Sequence, residues 1–406
     1  MADPDPITRL EELAQRLKKS AGAEVDDLYL ERTVDMVWNL ADSALASREC
    51  LRREGAAVRR GRRLVSCDGL DRLTIAALTG LKPAEVPHLT PPTPPPPPEW
   101  QDLLPCLPRE TRAARWRWRW AAVVRPDRAC TLNRPQLLEV SGARDLRLLY
   151  SWPPAEPLPG TFAGLPPGAQ PAPLPARVIT ILLAPPAAAV LLHELFGHPC
   201  EADLLAAGRS LWQGRLGERV LELPLTVVDD PLDISLPGAF DVDDEGEPAV
   251  CRPLLEDGRL VGVLADRRLA PVFGAAPGCA RRAHIHAPPR PRMSNLVAFS
   301  NGTAVEPLRH EAQVEVTEVA GGTVDPASGR VYLAVSSAHT LRRGHPTRGL
   351  PPFTLSTTTS ALERGILAAG AAAPAVAAHG WCGKDGEVLA TGARTPWLLV
   401  DGMEIR

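Results

Sequence analysis

The segment His193-Glu194-Leu195-Phe196-Gly197-His198 places two imidazoles and a carboxylate close together in the chain. Neutral imidazole nitrogens suit a borderline-soft divalent ion such as zinc, and a carboxylate beside them can take a proton from water. Those residue types in that order are what hydrolytic metal chemistry requires, with His193 and His198 as ligands and Glu194 as the base.

The spacing imposes a geometric condition. On an ideal α-helix, at ~100° per residue, positions i and i+4 stand ~40° apart, whereas i and i+5 stand ~140° apart and cannot share an ion. Sharing one predicts a single π-turn, which absorbs the additional residue and returns both rings to one face. Gly197 lends flexibility there, and Pro199 has no N–H to offer the carbonyl of Leu195, so it suits a place where the helical ladder is already broken. A catalytic zinc takes three protein ligands, and Glu201, Asp203, Cys200 and a distant residue all qualify as the third. Among distant candidates, Cys382 lies in Trp381-Cys382-Gly383-Lys384-Asp385-Gly386, where glycines define a tight turn and Lys384 favours the thiolate. The alternative is that Cys382 is an ordinary half-buried loop residue. Glu201 and Asp203, one turn beyond His198, are also placed to orient a ligand imidazole through its other nitrogen.

Around this motif, the apolar run 178–183 reads as a buried strand, Pro185-Pro186 starts a helix, and 187–207 continues it to Gly208. Strand-like runs follow at 223–228, 260–264, 313–319, 331–335 and 397–400, broken by Gly, Pro and Asp turns. Ahead of it, an apolar stripe from Ile7 to Leu17 reads as a helix ending near Gly22, and alternation from Asp27 onward reads as strand. Residues 115–120 alternate strictly Arg and Trp, an amphipathic strand with indoles inward and guanidiniums outward. Pro91 to Pro98 is a semi-rigid spacer, and the Pro-rich stretch from Pro153 separates two parts. The expected fold is α+β: a smaller N-terminal α/β domain at 1–152, a Pro-rich linker at 153–176, and a β-rich domain with a metal-binding helix at 177–406.

At 406 residues the chain is long enough for two domains of about 150 to 200 residues. Lys+Arg 45 against Asp+Glu 48 leaves a net charge of −3, so no global positive field draws in nucleic acid or an anionic membrane. The Arg-Trp strand fails as a nucleic-acid ribbon on that ground. No run approaches the ~18 apolar residues of a membrane helix, and the acidic start lacks a signal peptide's basic region. Eight dispersed cysteines with no C-x-x-C pair point to a reduced, cytoplasmic protein.

Several motifs, in one order, resemble the TldD/PmbA metallopeptidases, specifically their metal-bearing TldD-like branch. They are LLHELFGHPCEADLL from Leu191 to Leu205, Gly208-Arg209-Ser210, Leu216-Gly217-Glu218, Val227-Val228-Asp229-Asp230, Asp243-Asp244-Glu245-Gly246, Arg292-Met293-Ser294-Asn295, Gly321-Gly322 with Val324-Asp325-Pro326, and Cys382-Gly383-Lys384-Asp385-Gly386. The resemblance implies that His193, His198 and Cys382 hold zinc and that Glu194 is the general base. It also implies a cytoplasmic peptidase acting on unfolded or modified peptides. Such a peptidase works around an enclosed chamber formed with a second copy or with a metal-free PmbA/TldE-like paralogue. Arg292 and Asn295 are then expected to contact substrate near that chamber.

The competing expectation is a non-catalytic peptide-binding subunit that captures an extended chain by strand pairing. Both histidines, Glu194 and Cys382 in one chain favour the enzyme, because a structural zinc site closes four protein ligands and has no use for a base.

Overall fold

The computed structural model describes residues 6–20, 25–41, 44–142, 147–154, 171–175, 177–302, 304–370 and 378–406. The first helix, Pro6–Lys19, buries Leu10, Leu13, Ala14 and Leu17, one apolar stripe at helical spacing. Its expected end near Gly22 and most of the linker placed at 153–176 lie outside the described residues. The helix packs with Leu28, Leu30, Trp120 and Val124 of a seven-stranded antiparallel sheet built wholly from residues 27–152.

The strand Ala113–Val124 carries the Arg-Trp alternation and pairs antiparallel with its neighbour Asp27–Ala41. Trp116 and Trp120 are buried in the core, as their period of two requires. The arginines, however, do not simply face solvent: Arg117 pairs with Asp35 and Arg119 with Glu31. Asp35 stands directly opposite Arg117 in the register, and Glu31 shares its face two pleats along, so the guanidiniums meet a matching acidic ladder.

Two further sheets, of seven and six strands, draw on residues 178–405. In one, Val178–Leu183, Leu398–Ile405, Phe353–Thr358, Arg330–Arg342 and Val314–Asp325 pair in turn, and the last returns to the first, so the circuit closes on itself. The other runs in the order Arg259–Leu260, Arg252–Glu256, Thr226–Asp229, Asn295–Phe299, Glu387–Arg394, Ala378–Lys384. Two of the strands expected from sequence are shorter than their apolar runs. The strand begins at Thr226 because Pro224 has no N–H for a ladder. The run after Leu260 turns away at Gly262, where any Cβ would collide with the carbonyl of Pro253.

The continuous helix expected over 187–207 is four pieces. A helix at Pro185–Leu192 leads into a π-turn at His193–Gly197, a 3₁₀ turn at His198–Cys200 and a short helix at Ala202–Ala206. Glu201 breaks the run with extended dihedrals (φ −73°, ψ 124°) and bridges to Leu264. The first piece is apolar all round, burying Ala187, Ala188, Ala189, Leu191 and Leu192, so it lies inside the molecule against Val314–Asp325, Ala378–Lys384 and Glu387–Arg394.

Candidate metal centre

His198 N–H bonds to His193 O, the i to i−5 bond that defines the π-turn expected from the spacing. The rings stand 5.0 Å apart between centroids at 84°. Leu195 O, which Pro199 cannot serve, accepts a hydrogen bond from Trp212 Nε1 at 2.5 Å. Phe196 stacks on the same indole, centroids 5.7 Å apart. Ser210 Oγ donates to Pro199 O (2.6 Å) and accepts from Trp212 N (3.0 Å), tying the indole to the turn it supports. Gly197 (φ −82°, ψ −84°) lies outside the ordinary helical region, and a Cβ there would overlap Met293 Sδ and Cε, so glycine suits the turn by conformation and by close approach.

Cys382 arrives on the hairpin formed by Ala378–Lys384 and Glu387–Arg394. Asp385 (φ 50°) and Gly386 (φ 82°) form the two-residue turn, and positive φ at both central positions is the primed geometry that matches strand twist. That turn fixes the register Lys384 to Glu387 and Cys382 to Leu389. The period of two then sends Cys382 and Lys384 to the same face. One ligand atom each from His193, His198 and Cys382 lies within 4.8 Å of the others, and Cys382 Sγ is 3.3 Å from His198 Nε2.

Buried charged groups tie these side chains down. His198 Nδ1 lies 3.2 Å from Glu201 Oε2, which leaves Nε2 facing the sulfur. Glu201 is fully buried; burial opposes its charge, yet His198, Lys384 and Arg292 hold its carboxyl down at about 2. Lys384 Nζ donates to Glu201 Oε2 (2.8 Å), Asp203 Oδ1 (2.7 Å) and Pro291 O (3.2 Å). Burial alone would raise the Cys382 thiol, but His193 and His198 outweigh it and hold the thiol well below its ordinary value. Burial raises the Glu194 carboxyl, partly offset by His193 and His198 beside it.

Of the two acids placed beyond His198, Glu201 touches the imidazole and Asp203 touches Lys384 instead. Arg292 and Asn295, expected near substrate, are both buried. Asn295 Oδ1 accepts from Gly238 N and Gly392 N while its Nδ2 donates to Asp230 O, so it staples the irregular stretch 230–238 to the strand Glu387–Arg394. Arg292 Nη2 donates to Cys382 O at 2.5 Å and lies 3.2 Å from Cys382 Sγ. Trp212 and Met293 carry no local spacing signal that marks them as supports of the turn; both are tertiary contacts.

Residues 176–406 match the family described as PmbA/TldA metallopeptidase C-terminal domain. A metalloprotease TldD homolog of Haemophilus influenzae is 29% identical over 234 residues, covering 57% of this chain and 48% of that protein. A metalloprotease of Archaeoglobus fulgidus is 29% identical over 229 residues, covering 55% of this chain and 52% of that protein. The chain thus spans about half the length of the curated relatives it matches. The crystal structure of TldE from Thermococcus kodakarensis superposes with a TM-score of 0.68 at 12% identity, covering 99% of this chain and all of that one, which shows a shared strand-rich mixed α/β fold. With more than half of its length matched in this way, the chain belongs to the PmbA/TldD metallopeptidase family.

Proposed function

We propose that this chain is a zinc-dependent peptidase in which His193, His198 and Cys382 hold the ion and Glu194 is the general base. The observation that carries the reading is the convergence of two imidazoles and one thiol within 4.8 Å beside an unligated carboxylate. The donors fit the ion. Zinc bonds of about 2.0 Å to nitrogen and about 2.3 Å to sulfur put the two atoms roughly 3.5 Å apart across a tetrahedral angle; His198 Nε2 and Cys382 Sγ are 3.3 Å apart. Three protein donors leave room for a fourth, non-protein ligand, the pattern of catalytic rather than structural zinc.

When bound, zinc supplies Lewis-acid activation of water and of the scissile carbonyl. Glu194, next to His193 in sequence and half-buried among the ligands, takes the water proton and returns it to the leaving amine. Its carboxyl, raised by burial, is matched to that two-way transfer. Glu201 keeps His198 in the tautomer that offers Nε2.

The substrates proposed are unfolded or modified peptides, and the chamber is proposed to be closed by a second copy or by a metal-free PmbA/TldE-like paralogue. One support for association is the long strand Ala44–Arg60, whose residues 44–53 are exposed with Leu45 and Leu51 uncovered. Light scattering on the purified chain, alone and with a paralogue, reads this directly; a monomer that cleaves peptides removes it. Among the described residues all eight cysteines are free, which accords with a cytoplasmic setting.

The test of the function is Glu194→Gln. Wild type should hold one zinc and cleave an unstructured peptide, lose activity to a chelator, and recover it with zinc. The variant should keep the zinc and lose about 10²- to 10⁴-fold in rate. Full activity in the variant, or a wild type that binds peptide without cutting it, makes the reading wrong.

A further inference from the structure

Arg292 is 2% exposed, and a guanidinium so fully removed from water must be held by partners that justify its charge. The strand pairing of Ala280–Arg281 with Arg290–Pro291 delivers it, and its own N–H bonds to Cys279 O at 3.0 Å. One nitrogen, Nη2, reaches both Cys382 O (2.5 Å) and Cys382 Sγ (3.2 Å). Nε faces Glu201 Oε1 at 3.8 Å, and neither of those two atoms has a hydrogen-bond partner among the described residues. The other oxygen of Glu201 serves His198 Nδ1 and Lys384 Nζ. Two of the three candidate ligands are therefore tied to one buried ionic network, with Arg292 on the sulfur side and Glu201 on the imidazole side.

We infer that Arg292 is a positioning residue for Cys382, fixing the sulfur through backbone and side chain together and drawing electron density from it toward the guanidinium. This rests on the metal-site reading above. An N–H directed at a ligating thiolate weakens sulfur donation and leaves the ion a stronger Lewis acid. Removing Arg292 takes away the guanidinium that faces a sulfur only 3% exposed. Only a planar fork can face the sulfur and Glu201 at once, whereas a lysine ammonium is a single point of charge.

The test is Co(II) loading of wild type, Arg292→Met and Arg292→Lys, read by the thiolate-to-cobalt charge-transfer band and by competition with a chelator. Arg292→Met should move the band to longer wavelength, because the sulfur regains electron density, and weaken cobalt binding about 10- to 100-fold, because losing the hold on Cys382 O and Sγ outweighs the stronger donor. Arg292→Lys should restore part of the affinity. An unshifted band with wild-type affinity in Arg292→Met overturns the inference. If Arg292→Met does not fold, Arg292→Lys decides, because an unshifted band and full affinity there remove any need for the fork. A wild type with no charge-transfer band at all fails the metal assignment itself, and this inference falls with it.

Discussion

Gly322 lies against Glu194: a Cβ built on the glycine would stand 2.9 Å from Glu194 Cγ and equally close to Val190 Cγ1. The strand Val314–Asp325 thus passes close against the proposed base, just after the irregular pairing between Val316 and Gly321. Gly322→Ala should crowd Glu194 and Val190 and shift the carboxylate. Because a displacement of about 1 Å can cost about 10²-fold in rate, peptide hydrolysis should fall by about that factor while bound metal stays at one equivalent. Loss of metal in Gly322→Ala would mean that the strand supports the ligands rather than the base.

Trp212 takes the place of the backbone donor that Pro199 lacks. Trp212→Phe preserves most of the stacking on Phe196 and leaves Leu195 O buried with no donor, an omission that costs about 1 to 3 kcal/mol. The thermal midpoint should fall, and metal affinity should fall with it, because the orphaned carbonyl belongs to the turn that aligns His193 and His198. Unchanged affinity with a lowered midpoint would confine the indole to a packing role.

The sequence was legible where a physical rule is local. For His193 and His198 to share an ion their separation requires a π-turn, the glycines around Cys382 mark a tight turn, and alternation buries Trp116 and Trp120; each holds in the structure. It was not legible where partners lie far apart along the chain. Nothing near Arg292 signals a sulfur 90 positions away, and the indole of Trp212 gives no sign of serving Leu195. The arginines at 117 and 119 read as solvent-facing because the acidic ladder of Glu31 and Asp35 sits on another strand. Periodicity reports which way a side chain points, and only tertiary pairing reports what it meets.

Asp244 joins the first sheet to the rest of the molecule. Its Oδ1 pairs with Arg134 at 2.5 Å and its Oδ2 accepts from Arg282 N at 2.8 Å. Burial opposes its charge, but Arg134, Arg119 and Arg282 hold the carboxyl down at about 2, from an ordinary 3.8. A depressed carboxyl contributes stability that is fully present above its unfolded value and is lost as pH falls through its folded one. The thermal midpoint should therefore drop on acidification between about pH 4 and pH 2. Asp244→Asn should destabilise at neutral pH by about 3 to 5 kcal/mol, since Arg134 is left without its buried partner, and should flatten the acid slope. An unchanged slope in the variant would assign the acid transition to other carboxyls.

Glu201 and Asp203 are separated by one residue and share Lys384, yet they should differ in consequence. Glu201 is fully buried and touches His198 Nδ1 directly, whereas the side chain of Asp203 is 21% exposed and reaches the ligands only through the ammonium. Glu201→Gln keeps the size and removes the charge that fixes the imidazole, so metal affinity should fall about 10- to 100-fold. Asp203→Asn leaves Lys384 paired with Glu201 and Pro291 O, and affinity should move by about threefold at most. Lys384→Met should resemble Glu201→Gln rather than Asp203→Asn, because it strips the buried carboxylate of its closest cation. Chelator competition on the three variants ranks them. Equal losses in Glu201→Gln and Asp203→Asn would show that the two acids act as one charge reservoir around Lys384, with no special part for the contact to His198.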